Sequence, residues 1–395
     1  MSSTVSQSAV LAERRNFTLL SAGMVLLCLA HLLTDLFSST IATLQPILGE
    51  RFDLSLTQAG LLGGVFMFSS AVLQLPFGVL SDRLHSRLFS VFGPLAAAIF
   101  LSLVGMASGF GMLLALSALG GMGVAAFHPQ STKEAARLSG DRKGLGVALF
   151  ITAGTFGLAC GPLYFAWVIS AFTFDRFYLA MIPAIVVCGL LLWKLPESGA
   201  ASSGPRKIDW EALGARWKPL SLHYTLVVLR SIVQLGIGQF LTLYLTRERA
   251  FSMEDASLVL AAFFLAASTG SFAGGSLADR IGGKSVVVLS MTASSPFLAG
   301  FLMTDGLLSL ACLFLGGMIL LLTIPVNVVM AQDLVPSQAG TVTSLMMGFA
   351  WGVAGITFIP LIGWIGDHTG LQTVLWGVAL APLLGIWPAL KLPRT

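Results

Sequence analysis

Apolar residues fill this chain in long runs, and polar residues break those runs at short turns. A helix rises about 1.5 Å per residue, so roughly 20 residues cross a ~30 Å hydrocarbon layer. Runs of that length predict twelve helices, at residues 17–48, 56–82, 88–108, 110–138, 143–171, 175–195, 218–247, 254–281, 284–303, 305–333, 338–366 and 370–391. One long polar stretch, residues 196–217 (PESGAASSGPRKIDWEALGARW), separates six helices from six. Its Ser/Gly/Pro half reads as linker and its second half as a short surface helix. The predicted organisation is an N-terminal bundle (1–195), a cytoplasmic linker (196–217) and a C-terminal bundle (218–395).

Composition turns this pattern into a class. Of 395 residues, 56% are hydrophobic and 10% charged, where a soluble domain carries about 25% charged residues. The fold class is therefore an all-α polytopic membrane protein with the lipid bilayer as its solvent. The 43 glycines suit helices that pack closely in lipid. The polar N-terminus, MSSTVSQSAVLAERRNF, has no cleavage site before the first run, which reads as a retained helix. Cys28, Cys160, Cys188 and Cys312 all lie inside apolar runs at no ligand spacing, so they read as small buried hydrophobes and no metal or cofactor is expected.

Charge then sets orientation. With the N-terminus inside, only Arg51, Arg176, Arg247 and Arg249 of the 22 basic residues fall outside, and Arg230 lies in the middle of the seventh run. All the others fall on the inner side, which places both termini in the cytoplasm. The net charge of +4 is thus a topology signal, and no nucleic-acid partner is expected.

Two features depart from the apolar background. In AHLLTDLFSS, His31 and Asp35 lie one helical turn apart on one face, with Thr34, Ser38, Ala42 and Gln45 alongside. A carboxylate at mid-bilayer costs about 2.5–3.5 kcal/mol on insertion scales, so Asp35 must face a partner or water. Asp35 is the acid that lies deep within a run, whereas the others sit at run ends, turns or loops. A carboxylate beside an imidazole can load and release a proton, or can pair structurally with His31 or Arg230. The second feature is repetition. GVLSDRLHSR (Gly78–Arg87) superposes on GSLADRIGGK (Gly275–Lys284) at an offset of 197, and Pro129 and Gly144 superpose on Pro325 and Gly340 at 196. RFDL and AFSM align at 199, which sets Arg230 opposite His31 and Gln234 opposite Asp35. Such repeats build secondary transporters, with the substrate site between the halves.

The doubled Gly-x-Leu-x-Asp-Arg loop, after helix 2 and after helix 8 of twelve, resembles the major facilitator superfamily. AHLLTDLFSS, FHPQSTKEAARLSGDRKGLG and GTFGLACGPL further resemble its fosmidomycin-resistance branch of small-molecule exporters. That branch often has an acid after His-Pro, where this chain has Gln130 and the nearest carboxylate is Glu134. The resemblance implies two pseudo-symmetric bundles whose first and fourth helices line a cavity, in a bacterial inner membrane, as a monomer. It implies a proton-coupled antiporter for a small anionic or zwitterionic compound. Uptake of an anionic metabolite is the alternative, and a non-transporting sensor of the same fold is a lesser one.

Proton coupling is expected at Asp35, His31 and His128. Substrate contact is expected at Arg230, which cannot shed its charge, with Gln234, Asn327, Gln74 and Gln239 as hydrogen-bonders that also suit plain helix joining. Proton-coupled members often carry an Arg on helix 4 where this chain has Ser117, so coupling must run through the histidines and Asp35. Pro129 and Pro325 are expected to kink their helices. Gly78, Asp82, Arg83, Arg87, Gly275, Asp279, Arg280 and Lys284 read as gating residues, paired with the neighbouring bundle. Gly154, Gly157, Gly161 and Pro162 resemble an antiporter signature that lets helix 5 approach the other bundle. GMASGF puts Ser108 out of register for a nucleophile motif, and no His-Glu-x-x-His or Gly-x-x-x-x-Gly-Lys-Ser/Thr occurs, so neither an enzyme nor an ATP-driven pump is expected.

Overall fold

The computed structural model describes residues 21–84, 87–195 and 208–393, except the side chains of Asp82, Arg83 and Asp141. The gating expectations for Asp82 and Arg83 therefore lie outside the described side chains, as do residues 17–20 of the first run and 196–207 of the linker. Twelve helices are long and apolar enough to cross a membrane. They are α1 (Ala22–Arg51), α2 (Leu56–Ser81), α3 (Leu88–Met106), α4 (Phe110–Leu138), α5 (Lys143–Phe172), α6 (Phe174–Lys194), α7 (Trp217–Glu248), α8 (Met253–Ile281), α9 (Gly283–Met303), α10 (Gly306–Leu334), α11 (Pro336–Thr369) and α12 (Leu371–Lys391). Each predicted run corresponds to one of them. The second half of the linker forms the short helix Trp210–Ala215, where the Asp209 carboxylate accepts the Ala212 N–H at 2.9 Å.

Helix ends follow the local chemistry. Ser55 caps α2 in a capping box with Gln58, and Ser252 caps α8. Both prolines expected to kink a helix lie within their spans. Helix α10 is interrupted at Leu322, three residues before Pro325, whereas α4 runs unbroken through Pro129. A π-helical turn, Ser344–Phe349, interrupts α11.

The last cation of each repeat bonds to helix-end carbonyls of its own half. Lys284 donates to the carbonyls of Leu390 and Leu392 at 2.6 and 2.7 Å, at the end of α12. Arg87 donates to the carbonyl of Leu195, at the end of α6. Both therefore satisfy C-terminal carbonyls of the sixth helix in their own half, as helix-end cations do. Both of these bonds lie within one half. Asp279 and Arg280 are exposed.

Each half keeps its own apolar core. One cluster, from Phe37 and Leu44 through Phe165 and Phe177, is built from the first six helices. Another, from Val233 and Phe240 through Leu320 and Leu375, is built almost entirely from the last six. The halves meet where α2 packs on α11, α5 on α8 and α1 on α7. The α2–α11 seam is a backbone-to-backbone approach. A Cβ on Gly60 would stand 2.6 Å from the Ile359 carbonyl oxygen, and one on Gly64 2.9 Å from that of Gly355. Only glycine permits this spacing.

Side-chain hydrogen bonds join the halves on the side opposite the chain ends. Asp367 on α11 accepts the N–H groups of Leu56 and Thr57 at 2.7 and 2.9 Å, and the Thr57 hydroxyl at 2.5 Å. It thus caps α2 from the other half. Gln239 donates to the Ala59 carbonyl at 3.1 Å, which Gln45 also engages at 3.0 Å, and Thr242 donates to the Ala42 carbonyl at 2.7 Å. An N-cap contributes about 1 kcal/mol, or roughly a fivefold change in an equilibrium. Asp367→Ala is therefore expected to open this side severalfold more often. The check is the labelling rate of a cysteine placed at Gln45 by a membrane-impermeant maleimide; an unchanged rate would show that the cap does not hold the seam.

Candidate functional site

Three expected residues converge. Helix α1 places His31 and Asp35 on one face, and α4 brings His128 to the same carboxylate. His31 Nε2 lies 3.3 Å from Asp35 Oδ2, and His128 Nε2 lies 3.3 Å from Asp35 Oδ1. The other ring nitrogens are also engaged. His31 Nδ1 stands 2.8 Å from the Phe150 carbonyl oxygen on α5, and His128 Nδ1 stands 2.9 Å from that of Val124. A carbonyl only accepts, so each Nδ1 carries its hydrogen. Each Nε2 then faces a carboxylate oxygen, lone pair to lone pair, unless a proton lies between them.

Charge counting follows from this geometry. With neither shared proton the triad carries −1, and both contacts repel. One proton makes it neutral and satisfies one contact. Two protons make it +1 and satisfy both. Low dielectric amplifies these differences. The ligand atoms of the three lie within 4.8 Å of one another, close enough to share one cation. Aromatic rings enclose the site. The His31 ring lies 4.0 Å from Phe150 and 5.6 Å from Phe127, and His128 meets it edge-on at 5.1 Å.

Helix α5 presses on this triad through its glycines. A Cβ on Gly154 would stand 2.5 Å from Asp35 Oδ2 and would also strike His31 Nε2. Gly157 and Gly161 lie against the backbone of Leu32 and Leu36 on α1. The helix-5 motif therefore closes α5 onto α1 of its own half, which corrects the expectation that these glycines serve the other bundle. Pro162 is buried within α5.

The second half holds the counterpart. Arg230 is 1% exposed, and its Nη1 donates to Gln234 Oε1 at 2.6 Å, one turn along α7. This mirrors the His31–Asp35 spacing on α1. The guanidinium carbon lies 5.1 Å from the centroid of the Trp351 ring on α11. Among the described residues no carboxylate lies within 4 Å of Arg230, so the ion pair with Asp35 weighed from the sequence is not formed here. Burying a cation without an anion costs several kcal/mol, more than the ~2 kcal/mol of a desolvated cation–π contact.

The remaining candidates are engaged elsewhere. Gln74 donates to the Ser70 carbonyl of its own helix at 2.8 Å. Gln239 joins the halves, as described above. Asn327 Oδ1 accepts from His223 Nδ1 at 3.0 Å, between α10 and α7. Glu134, the carboxylate nearest to Gln130, is buried and held by Gln130 at 3.2 Å and by Arg137 at 2.8 Å. Sequence reasoning passed over Trp351, Asp367 and His223. His223 carried a signal, an imidazole within the seventh span paired with an amide. A tryptophan inside an apolar run carries none.

Comparison with known proteins agrees with this architecture. The family model of the Major Facilitator Superfamily matches residues 27–246 and 224–395. The chain is 31% identical to the fosmidomycin resistance protein of Escherichia coli (strain K12), over 94% of this chain and 92% of that one. It is 25% identical to the hexuronate transporter of Bacillus subtilis (strain 168), over 94% and 93%. Among solved structures, a bacterial homologue of the human lysosomal transporter Spinster, in an inward-facing and occupied conformation, superposes with a TM-score of 0.81 at 15% identity, covering 93% of this chain and 95% of that one. Helices, repeats and relatives agree: the chain belongs to the Major Facilitator Superfamily, and it is a multi-pass membrane transporter and not an enzyme.

Proposed function

We propose that this transporter is a proton-coupled exporter, which exchanges a small anionic or zwitterionic compound for protons by alternating access. The observation that carries this reading is the Asp35 carboxylate held between two imidazoles whose Nδ1 atoms are already committed to backbone carbonyls. Such a triad exchanges one proton between its neutral and its +1 state. Arg230 is the fixed cation that receives the anionic cargo, with Gln234 beside it.

The transport cycle follows from the inter-half ties. Asp367, Gln239 and Thr242 join the halves on the far side, which supports a cycle that starts from the side of the chain ends. Basic-residue placement supports reading that side as the cytoplasm, of a bacterial inner membrane in this proposal. Cargo enters from there and settles at Arg230. The halves, 1–195 and 218–395, then rock about the site with 196–217 as the connecting linker, and the far-side ties break. Asp82 and Asp279, with Arg83 and Arg280, close the cytoplasmic face in the outward-facing state. Protonation of the triad from outside returns the carrier, and a monomer suffices for the cycle. Similarity to the fosmidomycin resistance protein supports export. Similarity to the hexuronate transporter supports a second reading, inward carriage of a small carboxylate. The direction of the proton relative to the cargo separates the two, opposite for export and the same for uptake.

Everted vesicles carrying a proton gradient, with a pH dye, test the proposal. Fosmidomycin and other small phosphonates are expected to collapse the gradient with the wild type. Asp35→Asn is expected to lower the response at least tenfold while leaving membrane insertion intact, and undiminished uphill transport in that variant would remove Asp35 from the mechanism. Arg230→Ala is expected to raise the half-saturating concentration by about tenfold to a hundredfold, the range for losing a charged hydrogen bond; equal affinity would make Arg230 structural. Gly154→Ala forces a Cβ onto Asp35 and His31. It is expected to impair coupling as strongly as Asp35→Asn, and a fully active Gly154→Ala protein would contradict the packed triad.

A further inference from the structure

The second half contains buried donors with no acceptor. Arg230 Nε has no partner, although the side chain is 1% exposed. The indole Nε1 of Trp351 is also buried without a partner. The Trp351 ring covers the guanidinium at 5.1 Å. Stacking alone does not require tryptophan, because a phenylalanine face would serve. Leaving an N–H unpaired costs about 1–3 kcal/mol, so two orphaned donors side by side point to a missing acceptor. They also come from different helices, α7 and α11. The π-helical turn Ser344–Phe349 ends two residues before Trp351 and changes the facing of the rest of α11. Such turns cluster at functional sites.

We propose that Trp351 is a specificity-determining ligand of the transported anion, its indole N–H donating to one oxygen of a compact tetrahedral oxyanion while Arg230 binds another. This rests on the reading of Arg230 as the cargo site. The reach is sufficient. Two oxygens ~2.5 Å apart, each with a hydrogen bond of about 2.8 Å, span up to ~8 Å between donors. An indole nitrogen lies ~2 Å from its ring centroid, so Trp351 Nε1 stands at most ~7 Å from the guanidinium carbon. The cargo class this selects is a phosphonate, phosphate or sulfonate headgroup, which offers acceptors in two directions at once. A planar carboxylate that fills the guanidinium fork with both oxygens has no third oxygen for the indole. Placement on α11 has a mechanical consequence, because the next residue, Gly352, packs against Val72 of α2 at the seam between the halves. An anion held by both side chains ties α7 to the helix that carries this seam.

The test is calorimetric titration of the purified full-length protein with methylphosphonate, and in parallel with acetate. The wild type is expected to bind methylphosphonate more tightly than acetate. Trp351→Phe keeps the ring face and loses the donor; it is expected to bind methylphosphonate about tenfold more weakly, with acetate affinity changed by less than threefold. Trp351→His keeps a ring N–H and is expected to recover most of the loss. Equal methylphosphonate affinity in wild type and Trp351→Phe, with binding lost in Arg230→Ala, would overturn the role of Trp351 and leave Arg230 as the anion site. Equal weakening in the Phe and His variants would assign Trp351 to packing alone and likewise overturn the proposal. No binding of methylphosphonate, phosphate or sulfate by the wild type would overturn both this assignment and the anionic cargo.

Discussion

A carboxylate inside a bilayer has to be neutralised, and the arrangement around Asp35 is organised by that requirement. Its two oxygens each meet one imidazole, and each imidazole is turned toward it by a hydrogen bond from the opposite ring nitrogen to a backbone carbonyl. The carbonyls come from α4 and α5, so three helices must be held in register for the triad to exist. Displacing any one of them would expose a charge to a low-dielectric interior, where an unpaired ion costs several kcal/mol. The site and the packing of the first half are in this sense one structure.

Glycine makes that packing possible. The small-residue face of α5 brings its backbone against α1 at Gly154, Gly157 and Gly161. The same device recurs between the halves, where Gly60 and Gly64 of α2 meet α11. Helix pairs in lipid gain little from the hydrophobic effect and depend on close contact and polar ties. The two seams differ in permanence. The α1–α5 contact lies within a half and moves with it. The α2–α11 contact joins the halves and is supplemented by Asp367, whose hydrogen bonds are exposed at the surface and so are easily exchanged for water.

Much of this architecture was legible in the sequence. Twelve apolar runs and the doubled loop were visible because bilayer thickness sets helix length and because the repeat preserves its charged residues. His31, Asp35 and His128 stood out because ionisable groups inside apolar runs need a reason to be there. What stayed hidden was pairing. Gly154, Gly157 and Gly161 announce a close contact but not which helix makes it, and they close on α1. Arg87 and Lys284 look like members of a clasp, yet a cation beside a helix end can equally satisfy carbonyls of another helix that ends nearby, and that is what both do. Gln239 and Gln74 were indistinguishable as amides in apolar runs, and only tertiary contact separates the inter-half tie from the bond to the helix's own backbone. Trp351 is invisible for a related reason: its importance lies in one N–H group and in the cation it covers.

The claim on which the account depends is that the triad exchanges a proton at Nε2 while Nδ1 stays tied to the backbone. Nitrogen-15 NMR of histidine-labelled protein, assigned with His31→Gln and His128→Gln, reads both nitrogens directly between about pH 5 and 9. The account predicts that Nδ1 of both rings remains protonated throughout and that an Nε2 proton is exchanged with pH in a way that Asp35→Asn alters. Rings whose Nε2 state is fixed across the range, or whose titration is the same without the carboxylate, would contradict it.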